Sequence, residues 1–165
     1  MAKLTSGSWD PPIDSFLFKV QNSPEFFNYY NVPEEEAMDL ALQRARGYLV
    51  EAASRISFEC SPDVDFMDID ADFGEFGFAL TNEEVELLAN LMFEMFIAKD
   101  IAKLRVHINL LTSQDLKNVY GVGYAERRSF MEMYDRLQQN NNVLIDRYAS
   151  KDRLTGKRKT ISFKG

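Results

Sequence analysis

The sequence predicts a mainly α-helical fold: a small bundle around one buried central helix, with an irregular acidic loop or hairpin and extended termini. Three stretches predict it. Leu80 to Ile101 opens on a cap, carries acids in its first turn and then turns apolar almost all round. Asn31 to Ile56 shows one apolar stripe at helical spacing. Ala125 to Tyr148 repeats apolar residues at near-heptad spacing. On this reading residues 1–30 form an N-terminal extension, 31–149 the helical domain and 150–165 a basic C-terminal arm. At 165 residues one domain with one core is expected.

Along the chain, residues 1–12 are polar with a proline pair and read as an extended start. Asp14 to Val20 fits a short helix or a short strand, because the run Phe16, Leu17, Phe18, Val20 is too brief to show a period. Ser23-Pro24-Glu25 marks a helix start, with Phe26, Phe27, Tyr29 and Tyr30 clustered behind it for packing on a core. Asn31 and Glu34 stand at capping-box spacing around Pro33. Glu34, Glu35 and Glu36 then suit the positive end of a helix. The stripe that follows is Met38, Leu42, Ala45, Leu49, Ala52 and Ile56, with Gln43, Arg44, Glu51 and Arg55 opposite.

Residues 57–80 break that period. Ser61-Pro62-Asp63 signals a turn. Val64, Phe66, Ile69, Phe73, Phe76 and Phe78 then alternate with acids and two glycines, as in a solvated loop or irregular hairpin that turns its aromatics inward. Thr81 and Glu84 form a second capping box directly before the apolar run. That run leaves Asn90 and Glu94, four residues apart, as one polar strip, and the helix extends toward Arg105. Such a helix is buried on more than one side, so it must pack against both the 31–56 and the 125–148 helices.

Ser113 caps a short helix ending near Tyr120, and Gly121-Val122-Gly123 breaks it. The last helix lines up Phe130, Met133, Leu137, Leu144 and Tyr148, with Asn141 in the same seam. The run Asn140-Asn141-Asn142 either kinks this helix or sets its register as a buried polar residue does in coiled coils.

The net charge of −7 is unevenly spread. Ile56 to Ala98 holds eleven acidic residues and no basic one, whereas Lys151 to Gly165 holds six basic residues and one acidic. An acidic body repels DNA, and a basic tail on it suits docking on a partner or a neighbouring copy. Cys60 is the only cysteine, so no intrachain disulfide forms. Glu94 and Lys99 interrupt the most apolar run, so no membrane span is expected, and the first residues lack the pattern of a signal peptide.

Each catalytic pattern fails. Asp63, Asp65, Asp68, Asp70 and Asp72 invite a cation, yet an EF-hand register from Asp68 puts Phe73 at the glycine place and Ala79 at the glutamate place. From Asp70 the sixth residue is Glu75, so that register fails too. His107 is the single histidine, and nothing in the sequence brings it to Cys60 as a base for a nucleophile. Gly121-x-Gly123 lacks the third glycine of a dinucleotide fingerprint. Gly156-Lys157 is followed by Arg158, and Lys151 stands where a P-loop needs its first glycine. No catalytic residue, metal ligand or cofactor is expected.

The segment from Phe78 to Met92, FALTNEEVELLANLM, resembles head–tail connector or adaptor proteins of tailed bacteriophages. In that group an L-T-x-E-E pattern opens a helix with an L-A-x-L-M core, followed by an aromatic; Phe96 stands here where relatives often carry Trp. The acidic aromatic loop from Asp63 to Phe78 and a late helix ending at Tyr148 extend the likeness over roughly residues 60–150. The resemblance implies a non-enzymatic virion neck protein, assembled in the host cytoplasm. It implies a homo-oligomeric ring between the portal protein and the tail or stopper protein, through which DNA passes without sequence-specific binding. The contact residues expected are Lys157, Arg158, Lys159, Ile161 and Phe163 in a docking arm, and Asp63, Asp65, Asp68, Asp70, Asp72 and Glu75 at a channel or interface. The alternative is a small helical nucleic-acid-binding or regulatory protein using the basic tail, and a third reading is a metal-dependent enzyme built on the aspartate loop.

Overall fold

Four α-helices and one helical turn surround a single aromatic-rich core, in a computed structural model that describes residues 4–27, 29, 31–60, 62–110 and 123–159. In order these are α1 (Asp10–Val20), the turn α2 (Pro24–Phe27), α3 (Glu34–Glu59), strands β1 (Ile69–Asp70) and β2 (Glu75–Phe76), α4 (Asn82–Leu110) and α5 (Gly123–Ala149). The fold is the small helical bundle that the apolar periods predict.

The central helix is α4, and it packs on α1, α3 and α5 at once. Its Leu88, Ala89, Leu91 and Met92 are fully buried, which is why this stretch is apolar nearly all round. Both α3 and α5 run antiparallel to it. Arg55 of α3 meets Glu94 and Glu51 meets Lys99, while Asn141 of α5 meets Glu94 and Tyr148 meets Glu84.

The N-terminal residues join the core, so the boundary drawn at residue 30 does not divide the fold. Helix α1 begins at Asp10, with a proline in its first turn where a missing N–H costs nothing. Its Ile13, Phe16 and Val20 are buried, with Trp9 just before it. Phe16 stands edge-on to Phe26 at 5.2 Å and to Tyr48 at 5.9 Å, and Phe26 edge-on to Phe96 at 5.6 Å. Each such ring contributes about 1.5–3 kcal/mol by burial alone, more than a dangling extension would hold.

The start of α3 departs from the expected capping box. Asn31 takes a left-handed backbone at φ 58°, and Pro33, extended at ψ 152°, is the N-cap without a side-chain cap bond. The buried face is Ala37, Ala41, Ala45, Tyr48, Leu49, Ala52, Ala53 and Ile56. It runs through the alanines rather than Met38, which is 49% exposed, because small side chains let α3 approach its neighbours closely.

Helix α5 is continuous through Asn140, Asn141 and Asn142. Asn141 lies buried in its seam and Leu137 and Leu144 are half-buried, but Met133 is 44% exposed and falls outside the packed stretch. The side chains of Phe130 and His107, and the short helix expected from Ser113 to Tyr120, lie outside the described residues.

Candidate functional site

Helix α3 runs on to Glu59, and a two-stranded hairpin lies within residues 62–80. β1 and β2 pair antiparallel with Ile69 opposite Phe76 and Asp70 opposite Glu75. Gly74, at φ +66°, makes the tight turn that an L side chain resists. The extended residues 4–8 line the free side of β2, with bridges from Ser8 to Glu75 and from Leu4 to Thr81. Gly7 permits this approach: a Cβ there would sit 2.5 Å from the Phe76 carbonyl oxygen.

The acids of the hairpin shape its backbone. Asp65 Oδ1 accepts the Met67 N–H at 2.8 Å, and Asp70 Oδ1 accepts those of Asp72 and Phe73 at 3.1 and 3.2 Å. These are side chain-to-backbone turns of the kind aspartate favours. Asp63, Asp65, Asp68, Asp70, Asp72 and Glu75 are all exposed, and among the described residues no three acidic, histidine or cysteine side chains converge to hold a metal. Inward aromatics are Phe66 and Phe76, with Phe78 half-buried; Phe66 lies edge-on to Phe78 at 5.2 Å and to Tyr148 at 6.2 Å. Phe73 breaks the expected inward pattern. It stands at the hairpin tip, 81% exposed, because the Asp70-capped turn leaves it no neighbouring surface to cover.

Residues 151–159 of the basic segment form a second hairpin. Lys151 bridges Arg158, and Asp152 caps the turn by accepting the N–H groups of Leu154 and Thr155. The Thr155 hydroxyl and these amides hold the Asp152 carboxyl below the usual carboxylate range. Gly156, at φ +69°, completes the turn.

Arg153 anchors this hairpin to the body. Its Nε donates to Glu84 Oε1 at 2.7 Å and its Nη2 to Glu84 Oε2 at 2.8 Å, with a further bond from Nη2 to the Ala79 carbonyl. Glu84 is fully buried. It also accepts the Thr81 N–H and the Tyr148 hydroxyl, while Thr81 Oγ1 accepts the Glu84 N–H in return, so the capping box forms as the spacing predicts. Burial pushes the Glu84 carboxyl up, but Arg153, the Thr81 amide and Tyr148 together hold it below the usual range. Burial and then the Glu84 charge push the Tyr148 phenol well above its ordinary range.

A second buried carboxylate repeats the device two to three turns along α4. Glu94 accepts Arg55 Nη1 at 2.8 Å and Asn141 Nδ2 at 2.7 Å, and Asn141 also donates to the Asn90 carbonyl. The polar strip expected at Asn90 and Glu94 is therefore the seat of α5.

The structure brings together two residues expected at different sites: Lys159 Nζ lies 2.8 Å from Asp63 Oδ1, and that contact lowers the Asp63 pKa. Lys157 and Arg158 are exposed and make no ion pair among the described residues. Ile161 and Phe163 lie outside the described residues. The Cys60 thiol donates to the Ile56 carbonyl at the end of α3, and burial raises its pKa. Sequence reasoning placed Tyr148 on the packed face of the last helix, where it is buried, but missed its bond to Glu84 and missed Arg153. The signal for them was Glu84, an acid on a helix apolar nearly all round, because a buried carboxylate requires a cation or several donors.

No described helix is long and apolar enough to cross a membrane. No model of a known family matches the chain, and neither does any curated protein or solved structure.

Proposed function

We propose that the chain is a non-enzymatic virion structural protein, a head–tail connector whose copies form a ring between the portal and the tail or neck and extend the DNA channel. The observation that carries this reading is the division of exposed charge over one clasped helical body. An acidic hairpin, fixed by its own aspartates and by residues 4–8, projects beside a basic hairpin fixed by Arg153. Rigid surfaces of opposite sign suit repeated contact between subunits better than turnover of a substrate. The stretch that resembles the connector group, Phe78 to Met92, holds both the capping box and the buried Glu84. Carboxylates facing a channel would let DNA pass without sticking, since like charges repel.

The alternative, a nucleic-acid-binding protein using the basic tail, has fewer cations to offer than the sequence suggests. Arg153 and Lys159 are already engaged by Glu84 and Asp63. Electron microscopy of the purified chain is expected to show symmetric rings, and a portal protein from the same genome should co-purify with it. A monomer that ignores the portal but binds DNA with steep salt dependence would favour the alternative.

A further inference from the structure

The geometry points to one specific contact between copies: the acidic hairpin of one chain, around Asp72 and Phe73, docks on the basic hairpin of the next, around Leu154, Lys157 and Arg158. It rests on the reading of the chain as a self-assembling subunit and names the surfaces involved.

Three observations converge. Both hairpins are fixed in place, the acidic one by Trp9 N–H to the Gly74 carbonyl at 2.9 Å and Phe76 N–H to the Gly7 carbonyl at 2.8 Å, the basic one by Arg153 and Lys159. Within the described chain the ion pair between the two segments joins Lys159 to Asp63 at 2.8 Å. Both carry charge that finds no opposite partner within the described chain: Asp70, Asp72 and Glu75 make no ion pair there, nor do Lys157 and Arg158. Each also presents an apolar residue at its turn, Phe73 at 81% and Leu154 at 46% exposure. An apolar centre inside a charged rim is the anatomy of a protein interface, and the two rims have opposite sign. Because the two surfaces differ, the contact is heterologous: each copy offers one to each side, and repetition closes a ring when the rotation permits.

The test uses neutral lesions, so that no reversed charges can pair. Asp72→Ser with Phe73→Ser removes the acidic face, and Lys157→Ser with Arg158→Ser the basic one; none of these side chains holds a described hydrogen bond of the fold, and circular dichroism checks that each variant melts like the parent. Sedimentation velocity over a concentration series should show the parent chain self-associating, more weakly as salt rises. Each variant alone should associate at least about tenfold more weakly. Mixed together, the two variants should form a one-to-one dimer that grows no further, because each retains one intact face. Variants that assemble like the parent, or a mixture that stays monomeric, overturn this contact and leave the ring reading standing. A parent chain that remains monomeric at every concentration sinks both.

Discussion

Arg153 and Glu84, 69 residues apart in sequence, meet through two parallel hydrogen bonds of 2.7 and 2.8 Å, with the carboxylate fully buried. The same carboxylate closes the first turn of α4, so one side chain caps the central helix and anchors the C-terminal hairpin.

Removing the cation should therefore cost more than a surface ion pair would. Arg153→Met keeps the aliphatic stem and leaves the Glu84 charge buried, which is expected to destabilise the fold by about 3–5 kcal/mol. Combining it with Glu84→Gln should recover part of the loss, since neighbours in one network are not additive. Urea unfolding of the four members of the cycle checks this; a loss under ~1 kcal/mol for Arg153→Met alone would show that the hairpin is held elsewhere.

Acid should weaken the same clasp. The folded Glu84 carboxyl lies below its unfolded value, so its stabilisation is complete above about pH 4.3, the ordinary glutamate value, and is lost as pH falls through the folded value. Asp63 and Asp152 are lowered too and add to the loss in the same direction. Urea midpoints measured from neutral pH down to the acid limit should fall for the parent chain and fall less for Glu84→Gln.

Asn141→Leu replaces a poor helix former by a good one, yet it should destabilise. The change removes the donors to Glu94 Oε2 and the Asn90 carbonyl and leaves the buried Glu94 carboxylate short of a partner. A loss of roughly 1–3 kcal/mol is expected in thermal melts. A gain in stability would show that the Asn triplet is a defect of α5 rather than its register pin.

Two glycine replacements should move in opposite directions. Gly47 is exposed in the middle of α3 with open space around its Cβ position, so Gly47→Ala should stabilise by up to about 1 kcal/mol. Gly7→Ala should destabilise, because its methyl would meet the backbone oxygens of Phe76 and Phe78, which cannot rotate away. Parallel melts of the two variants decide it, and equal signs would contradict the pairing of residues 4–8 with β2.

Which parts of this were legible beforehand follows from the range of the forces involved. Helices α3, α4 and α5 announce themselves because burial on one face imposes a period on neighbouring residues. The Thr81–Glu84 cap is equally local. The start of α3 was misread because Asn31 had the right spacing, whereas it takes a left-handed backbone and Pro33 is the N-cap. Helix α1 was hidden by its brevity and by prolines that suggest extended chain until they are seen in a first turn. Tyr148 and Arg153 reach Glu84 across 64 and 69 residues, and no spacing rule encodes such a pairing. Charge counting found the basic segment but not that Arg153 lies inside the fold while Lys157 and Arg158 remain outside. Phe73 was assigned inward by alternation, which holds along the strands and fails at the turn between them.

The order in which the residues of the Arg153 clasp leave the ribosome has a consequence of its own. A nascent chain presents α1, α3 and the start of α4 well before residue 153, and domains begin to consolidate during synthesis. Until Arg153 emerges, Glu84 has a cap to complete but no cation. Full burial of α4 at this end would then place a bare charge in an apolar setting. Until then the early helices are expected to associate loosely and reversibly, with the Arg153 hairpin supplying the cation that lets this end of α4 close. A messenger truncated before codon 153 would yield a chain that has every described helix and lacks the cation that pairs with Glu84.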